Sequence, residues 1–573
     1  MGKACCNVVA RASKGVATCP VEFKDQVDLQ YGGVLVTLPA LIACGLLKWI
    51  SRFDLSSVYY TTTQIFLSLA FMVMLRVKQL EQSKLLSCGE LGRCLGMDRI
   101  PCVQTLRNRI SNFTSVADVE EWSLELGRDR MKQDAVDGVL YVDGHVNIYY
   151  GKSVEMPERY VSRMRLCMSG STDYWVNGAI GQPYFVVHKT INEGMIKTLT
   201  HEIIPELDRS VPNQPTEAQL SANSLLHRYM IVFDREGYSV PFFIEMKKNR
   251  IAFCTYRKNV KDRWDISEFK EYLVTDKSGE TIRMKLAERG IRLTTKKEKG
   301  KPQEGIWVRE IRKLTISGHQ TSIITTNLSL SITDTGLYMF ARWRQENFFK
   351  YAVESFGIDF LISNVKKSIP DTYTIPNRHY ISLKQEYKSI SGKLSKMKQK
   401  LAEKVMEIDQ EDREKQMKKY MRQKAEILQS VEIYRAELEM IKQKRKEIPK
   451  RVEINEGGDG KSILTAINDH KQLLDTIKMI GYWAETSLAN QIKPLMSNPD
   501  EARNLIRSIY QSNADLMVDK QNNILYVLLH HSNFAGVDNI IRELCNILNK
   551  TQTVFPGANL KISYKLVSDK FQE

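Results

Sequence analysis

The stretch Val139-Leu-Tyr-Val-Asp143 decides the fold class, because it is a continuous apolar run that ends at a carboxylate. A second run, Tyr229-Met-Ile-Val-Phe233, ends in the same way at Asp234. Continuous apolar runs of this length are typical of strands that are buried on both faces. Residues 194–207 lie between the two runs and carry helical spacing. Strands that alternate with helices predict an α/β sheet.

On both sides of these runs, the pattern of apolar, charged and turn-forming residues changes several times along the chain, which predicts a multi-domain α/β protein. The predicted regions are a helical N-terminal domain (1–135), the first part of the α/β core (136–257), a β-rich insertion (258–332), the second part of the core (333–378), a long charged helical segment (379–454) and a C-terminal helical and α+β region (455–573). A turn is predicted between Asp143 and Asn147, and a helix is predicted to begin near Thr335.

Composition limits the partners of the chain. Among 573 residues, 83 Lys and Arg outnumber 67 Asp and Glu, which gives a formal net charge of +16 and favours an anionic partner such as nucleic acid or an acidic membrane. The apolar stretches 34–47 and 65–75 fall short of the ~20 residues that cross a bilayer, so we expect buried core helices. Scattered cysteines and the lack of an opening secretory signal predict free thiols in the cytoplasm.

A helix-turn-helix is one interpretation of residues 89–110. The segment reads as a short helix, a tight connection and a second helix, and Pro101 suits the first turn of the second helix. Leu106 and Ile110 share the apolar face of this helix, whereas Arg107 and Arg109 point elsewhere. Two interpretations stay open: the segment is a motif that reads DNA, or it is a pair of packed helices without that role.

The long segment from about 380 to 450 carries roughly half of the net positive charge and two runs of heptad spacing. The runs are Tyr387, Ile390, Leu394, Met397 and Leu401, and then Ile427, Val431, Tyr434, Leu438 and Ile441. They are out of phase, so a hairpin or a stutter lies between them. The charge fits either a solvated helix surface or an arm that contacts phosphates.

Three carboxylates far apart in the sequence form the candidate site. Asp143 and Asp234 each follow a buried strand, and ligands of open α/β sheets sit at the carboxyl ends of strands. Glu346 lies on the predicted helix, with Arg342 and Lys350 one turn away on the same face. Carboxylates are the ligands of hard divalent cations, and such a set can hold two Mg²⁺ ions. Turn-capping aspartates and a surface stripe of salt bridges are the structural alternatives.

Five segments resemble bacterial insertion-sequence transposases of the DDE superfamily, whose catalytic domain is RNase H-like. The segments are Leu140-Tyr-Val-Asp143-Gly-His145, Arg159-Tyr-Val-Ser-Arg163-Met-Arg165-Leu-Cys, Thr172-Asp-Tyr-Trp-Val-Asn177, Val232-Phe-Asp234-Arg-Glu-Gly-Tyr238 and Arg342-Trp-Arg-Gln-Glu346-Asn-Phe-Phe. The resemblance implies that the first Asp ends the first strand, that the second Asp ends the fourth, and that the Glu sits on a later helix. It also implies a β-rich insertion between the second Asp and the Glu.

By this resemblance, Asp143, Asp234 and Glu346 are the catalytic and metal-binding residues. The cofactor is two Mg²⁺ ions, for which Mn²⁺ can substitute, and the reaction is hydrolysis and strand transfer at transposon ends. Arg342 and Lys350 would contact phosphate, although only Arg342 and Glu346 match the spacing of the Tyr, Arg, Glu, Lys series found in one branch of the superfamily.

Further DNA contacts are predicted in and after the second segment of the resemblance. They involve Arg159, Arg163 and Arg165 by charge, and Tyr160, Tyr174 and Trp175 by stacking. Solvated arginines in a sheet-edge loop are the alternative. His145 either assists at the site or is a packed core residue.

The resemblance implies double-stranded DNA as partner, a homo-oligomer on paired DNA ends, no membrane and a nucleoid-associated cytoplasmic location. Two other functions stay open. The first is a transposase-derived DNA-binding protein that no longer cuts DNA. The second is a coiled-coil scaffold with a globular head, which predicts no metal binding and no DNA cleavage.

Overall fold

A computed structural model describes residues 18–55, 58–134, 136–148, 158–161, 166–189, 194–275, 281–295, 303–340, 343–359, 366–368, 374–376, 378–403, 413–449, 451–453, 464–466 and 468–569. The chain forms two compact units. The main unit comprises residues 1–149, 159–365 and 467–573, and the hairpin unit comprises residues 150–158 and 366–466.

The strands are β1 (Gln26–Leu29), β2 (Val139–Ile148), β3 (Glu158–Val161), β4 (Leu166–Gly178), β5 (Pro183–Lys189), β6 (Met230–Phe233), β7 (Ala252–Tyr256), β8 (Lys270–Thr275), β9 (Thr281–Thr294), β10 (Gly305–Leu314), β11 (Gln320–Thr325), β12 (Lys366–Ser368), β13 (Thr374–Pro376), β14 (Arg451–Glu453), β15 (Leu464–Ala466), β16 (Ala514–Asp519), β17 (Ile524–Leu529) and β18 (Lys561–Leu566).

The α-helices are α1 (Leu38–Ala43), α2 (Thr62–Met74), α3 (Cys88–Arg93), α4 (Val103–Val116), α5 (Val119–Gln133), α6 (Met195–Thr198), α7 (Ile204–Ser210), α8 (Glu217–Ala222), α9 (Val240–Lys248), α10 (Ile332–Phe340), α11 (Trp343–Phe356), α12 (Arg378–Glu403), α13 (Arg413–Glu447), α14 (Asn468–Ile492), α15 (Ala502–Gln511) and α16 (Ala535–Lys550). A π-helical turn (Leu199–Ile203) joins α6 to α7, and short 3₁₀ turns such as Gly32–Thr37 and Arg235–Gly237 occur elsewhere.

The main sheet confirms the predicted mixed α/β architecture. Within the described part of the chain it has ten strands in the order β3-β4-β2-β6-β7-β11-β10-β9-β8, and β5 pairs with β4. Strands β2, β6 and β7 are parallel, whereas β4 and β5 run antiparallel to their neighbours. Strands β8 to β11, which correspond to the predicted insertion, pair antiparallel. Because β11 pairs with β7, these strands continue the same sheet.

Strand β2 is longer than the sequence predicted. The turn that we expected between Asp143 and Asn147 is wrong, because β2 continues without a break to Ile148. Its antiparallel partner β4 supplies the reason, since the ladder extends past Asp143↔Trp175 as far as Ile148↔Gly170. The parallel pairing with β6 extends only to Val142, so Asp143 follows the end of the parallel part of the strand.

A second sheet joins the two ends of the main unit. Its order is β1-β16-β17-β18, so the predicted regions 1–135 and 455–573 share one sheet. Gly33, in the 3₁₀ turn after β1, lies so close to α15 that a Cβ atom would approach the carbonyl oxygen of Ile509 to 2.2 Å. One hydrophobic core includes Phe66 of α2, Trp122 of α5 and Trp483 of α14, so N- and C-terminal helices are packed together.

The apolar stretches near residues 34–47 and 65–75 are buried core segments, as predicted. Val34, Leu41 and Phe71 are fully buried in the main unit. Among the described helices, none combines the length and the apolar character that a membrane span requires.

Both helices predicted within residues 89–110 are present, as α3 and α4. Both arginines of α4 have partners within the protein. Arg109 is buried and donates a hydrogen bond to the carbonyl of Tyr60 at 3.1 Å. Arg107 forms an ion pair with Glu81. The two-packed-helix interpretation therefore accounts for the contacts of these side chains.

The hairpin unit consists of α12 and α13 packed against each other above two short ladders, β12–β15 and β13–β14. Both ladders are antiparallel, and the guanidinium of Arg445 near the end of α13 donates to the hydroxyl of Tyr380 near the start of α12 at 3.1 Å. The helices are therefore antiparallel. Ile390, Val431 and Ile441 of the two heptad runs are buried, so the change of phase marks a hairpin.

Candidate active site

Asp143 and Asp234 occupy the same level of two adjacent strands. The parallel pairing of β2 with β6 ends at Val142↔Phe233, and the two aspartates are the next residues in the chain after this pair. Neighbouring strands lie about 4.8 Å apart, so the two residues are close together. Val142 and Phe233 both point into one core, and Asp234 keeps an extended backbone. Side chains alternate along a strand, so both aspartates face the opposite side of the sheet.

Both aspartates are half-buried, and each carboxylate accepts a hydrogen bond from a nearby backbone N–H. Oδ1 of Asp143 accepts a hydrogen bond from the backbone N–H of Gly144 at 3.0 Å. Oδ1 of Asp234 accepts from the N–H of Glu236 at 2.7 Å, which caps the single 3₁₀ turn after β6. Across the described residues, no lysine or arginine forms an ion pair with Asp234. Its charge is therefore available to a ligand.

Glu346 lies in the first turn of α11, and its side chain is outside the described part of the structure. The helix packs on the same side of the sheet that the aspartates face. The ring of Phe348 contacts Trp175, the β4 partner of Asp143, at a centroid distance of 5.4 Å. The structure thus places the first turn of α11 on this side of the sheet, near the strand that carries Asp143.

A second aromatic contact fixes the position of α11 along β2. The rings of Phe349 and His145 stack at a centroid distance of 5.5 Å with an interplanar angle of 13°. Phe349 follows Glu346 by about one helical turn, and His145 follows Asp143 by two strand residues. His145 is therefore packed against Phe349, which supports the interpretation of His145 as a packed residue.

Several predicted phosphate contacts fall outside the described structure. Arg163, Arg165 and Arg342 are not among the described residues, and Arg159 lies in β3 with its side chain undescribed. Lys350 is exposed on α11.

The prediction that Tyr174 and Trp175 stack on DNA bases is wrong. Each is only 1% exposed, because these β4 side chains pack into the cores on the two sides of the sheet. They are structural residues of the sheet that carries Asp143.

A buried network of charged side chains lies one step further along the same side of the sheet. His145, Asp173 and His188 are directly opposite one another on β2, β4 and β5. Nδ1 of His188 lies 2.8 Å from Oδ1 of Asp173, and Nζ of Lys471 on α14 lies 3.0 Å from Oδ2 of Asp173. Asp475, one turn after Lys471, also pairs with Lys471. Helix α14 is thus tied to the sheet by ion pairs.

Burial and charge act in opposite directions on this network. Burial by itself would raise the pKa of Asp173, but Lys471 and His188 lower it, and the net pKa lies well below the ordinary value. Burial would lower the pKa of Lys471, but Asp173 and Asp475 raise it. Both groups are therefore charged at neutral pH.

The same network contains three groups with suitable separation for a metal ion. Single ligand atoms of Asp173, His188 and Asp475 lie within 4.8 Å of one another. However, the ammonium groups of Lys471 and Lys478 already contact these carboxylates, with Lys478 at 3.3 Å from Asp475. The arrangement is therefore a buried ionic network, in which lysines supply the positive charge.

A second buried carboxylate, Glu485 of α14, anchors helix α11. Tyr351 of α11 donates its hydroxyl hydrogen to Glu485, and Tyr510 of α15 donates to the same carboxylate at 2.6 Å. Arg503 donates to it at 2.9 Å, and Arg76 forms an ion pair with it. Burial would raise the pKa of Glu485, but Arg76 and Arg503 lower it. Residues from three segments outside α11 thus hold the helix that carries Glu346.

Sequence reasoning missed both of these networks. Asp173 lies within the quoted Thr172–Asn177 segment, but a single Asp in an apolar strand gives no sign of its partners. The better signal is in α14, where Lys471, Asp475 and Lys478 recur at helical spacing among apolar residues. Such charges on a buried helix face predict ion pairs within the core.

These features define a mixed α/β protein with two carboxylates side by side where adjacent parallel strands cease to pair. Residues 5–568 match the family described as "Transposase protein", so the chain belongs to this transposase family. It is therefore a DNA transposase, and DNA is its partner. No curated protein sequence matches the chain.

Proposed function

We propose that this transposase cuts and joins DNA by the two-metal DDE mechanism, with Asp143, Asp234 and Glu346 as its catalytic carboxylates. The observation that carries the proposal is the register of β2 and β6. It brings two aspartates that are distant in sequence to the same level and the same side of one sheet. Helix α11, which contains Glu346, covers that side.

The order of strands supports an RNase H-like core. If the short β3 is left aside, β2, β4, β5, β6 and β7 are the first to fifth strands of this part of the chain. Asp143 then lies on the first strand, and Asp234 follows the fourth. Strands β8 to β11 separate Asp234 from the helix of Glu346. This is the arrangement that the resemblance to DDE transposases implies.

The donor groups fit two Mg²⁺ ions, or Mn²⁺ in their place. Asp143 and Asp234 offer carboxylate oxygens, which hard divalent cations prefer, and Glu346 would complete the set. Bound metal would activate the attacking oxygen and stabilise the leaving oxygen in phosphoryl transfer. Asp234, which no described lysine or arginine neutralises, has the charge that such a ligand needs.

The chain would act on DNA in two steps. In the first, water attacks a phosphodiester at the transposon end, and the bond to the 3′ oxygen breaks to free a 3′-OH. In the second, this 3′-OH attacks a phosphodiester of the target, and the displaced oxygen leaves. Arg342 would hold a phosphate through two hydrogen bonds. Lys350, together with Arg159, Arg163 and Arg165, would add contacts to the DNA backbone.

We further propose that the transposase acts as a homo-oligomer on paired ends of an insertion sequence. Joining both ends to one target requires two sets of the three carboxylates, and a second copy of the chain is the simplest source of the second set.

The test is a cleavage assay on linear DNA that carries the gene with its native flanking sequence, in Mg²⁺. Asp143→Asn, Asp234→Asn and Glu346→Gln each keep the shape of the side chain and remove its charge. We expect each to lower the cleavage rate by about 10³-fold or more, because several kcal/mol of transition-state stabilisation are lost. Glu354→Gln removes an exposed carboxylate of the same helix and is the matched control.

Other outcomes would favour the alternatives. If the wild type binds DNA but never cuts it, the protein is a DNA-binding factor derived from a transposase. If the wild type and all three variants neither bind nor cut, the scaffold interpretation gains. Binding of Mn²⁺, followed by electron paramagnetic resonance, supplies a readout that is independent of cleavage, and the three variants should bind it more weakly.

A further inference from the structure

The two helices of the hairpin unit differ in how their positive charges are compensated. Helix α12 has 26 residues, in which only Glu386 and Glu403 are acidic. Its exposed lysines are Lys384, Lys388, Lys393, Lys396, Lys398 and Lys400. Within the described part of the chain, none of these six lysines forms an ion pair.

Helix α13 shows the opposite arrangement. Its ion pairs join Lys418 to Glu414 at 2.9 Å, Arg422 to Glu426 at 3.6 Å and Lys442 to Glu439 at 3.2 Å. Each pair lies within one turn of the helix, where opposite charges commonly stabilise an exposed helix. The positive charge of α13 is therefore partly neutralised within the protein, whereas no carboxylate in the described part of the chain forms an ion pair with the six lysines of α12.

Three of the lysines of α12 form a continuous surface. Lys393, Lys396 and Lys400 follow spacings of three and four residues and therefore lie on one face of the helix. They extend over about 10 Å along the axis. Like charges at this spacing destabilise an isolated helix, so their arrangement has a cost that binding to a polyanion would offset.

We propose that this basic face of α12 (Lys393, Lys396 and Lys400) binds the phosphate backbone of duplex DNA without reading the base sequence. Lysine ammonium groups act as point charges, which suits phosphate contacts and gives affinity through release of counterions. The choice of DNA as the polyanion rests on membership of the transposase family, and the inference does not depend on the three proposed catalytic carboxylates.

The test measures binding of the full-length protein to a duplex of arbitrary sequence over a series of KCl concentrations, with EDTA present. One variant carries Lys393→Gln, Lys396→Gln and Lys400→Gln. The matched control carries Lys418→Gln, Arg422→Gln and Lys442→Gln. Both remove three positive charges from the same hairpin, so they change the total charge equally, but the control charges come from ion pairs of α13.

We expect the α12 variant to bind duplex DNA at least about 10-fold more weakly and to lose about two to three units of the slope of log K against log [KCl]. The control should retain most of the wild-type affinity and slope. Equal losses in both variants would overturn the proposal, because total charge would then suffice to explain them. Unchanged binding by the α12 variant would overturn it as well.

The binding assay also separates this inference from the proposed catalysis. If the α12 variant binds normally while the wild type cuts DNA in Mg²⁺, the inference fails and the DDE mechanism stands. If the wild type binds through α12 but the three carboxylate variants cut DNA as well as the wild type does, the DDE assignment fails and the inference stands. Binding of the basic face to anionic phospholipid vesicles in preference to duplex DNA would overturn the assignment to DNA.

Discussion

Phe349 lies flat on His145, with ring centroids 5.5 Å apart, and so joins the helix that contains Glu346 to the strand that contains Asp143. Each ring is close in sequence to a proposed catalytic carboxylate, since His145 follows Asp143 by two residues and Phe349 follows Glu346 by three. Small displacements of α11 along the sheet would therefore change the distance between those carboxylates. The stack is the structural basis of our first prediction.

Replacing Phe349 with Ala should impair DNA cleavage more than it impairs folding. Phe349 is half-buried, so the loss of stability should be smaller than the ~3–5 kcal/mol of a fully buried Phe→Ala change, and about 0.5–1.5 kcal/mol of it comes from the aromatic pair. The helix would lose its registration on β2, and the Mg²⁺ concentration that gives half-maximal cleavage should rise. Titration of cleavage with Mg²⁺ measures this change.

Phe534→Ala is the control for this substitution, because Phe534 is 72% exposed. A Phe349→Ala protein whose Mg²⁺ requirement equals that of the control would show that the stack does not position the helix.

Removing one hydroxyl from the Glu485 network should destabilise the main unit. Tyr351→Phe deletes a donor to the buried carboxylate of Glu485, and a buried acceptor that loses a partner costs about 1–3 kcal/mol. Urea unfolding measures the loss. Tyr272→Phe is the matched control, since Tyr272 is half-buried in β8 and donates no hydrogen bond to another described residue. An equal loss in both variants would contradict the role of the network.

Acid should destabilise the protein through Asp173 and Glu485. The folded-state pKa of both groups is lowered, because Lys471 and His188 act on the first and Arg76 and Arg503 on the second, despite the opposing effect of burial. A lowered folded pKa gives a stabilising contribution that is complete above the unfolded value of about 4 and is lost as the pH falls below it.

The free energy of unfolding, measured from pH 7 to pH 3, tests this assignment. Asp173→Asn should reduce its dependence on pH by about 1.4 kcal/mol per pH unit below pH 4, which corresponds to one proton. Asp500→Asn, which removes an exposed carboxylate, should leave the slope unchanged. The assignment is wrong if the two variants have the same slope.

Arg312 should be essential for the antiparallel strands β8 to β11. Its side chain is fully buried, and it donates to Glu310 at 2.8 Å and to Asp262 at 2.7 Å. Arg312→Met leaves the carboxylate of Glu310 buried with fewer partners, at a cost of about 3–5 kcal/mol. Limited proteolysis should then cut within residues 258–332 first. Arg283→Met, at a side chain that is 70% exposed, should leave the proteolysis pattern unchanged.

The sequence predicted the strands and helices of the core well, because their patterns are local. The apolar runs that precede Asp143 and Asp234 correspond to β2 and β6, and the helices predicted within residues 455–573 correspond to α14, α15 and α16. The extent of β2 could not be predicted. It depends on β4, whose pairing is a tertiary contact that no local pattern within β2 reports.

The sequence predicts that Asp143 and Asp234 share a site, but it does not give their relative positions. The register of β2 on β6 places the two residues next to each other. The partners of Asp173 and Glu485 could not be predicted, because Lys471 is nearly 300 positions from Asp173 in the chain. Burial also reversed one expectation, since aromatic residues such as Trp175 near basic residues in the sequence suggested a DNA surface and instead fill a core.

The pairing of β1 with β16, which joins Gln26 to Leu516, has a consequence for protein synthesis. As the chain leaves the ribosome, Phe66 of α2 can pack on Phe113 and Trp122, but the apolar surfaces of α1 and α2 that contact α14 stay uncovered until nearly the whole polypeptide has been translated. They therefore remain exposed to chaperones and to aggregation during most of elongation. A premature stop anywhere before β16 would release a product whose opening segment cannot complete its sheet.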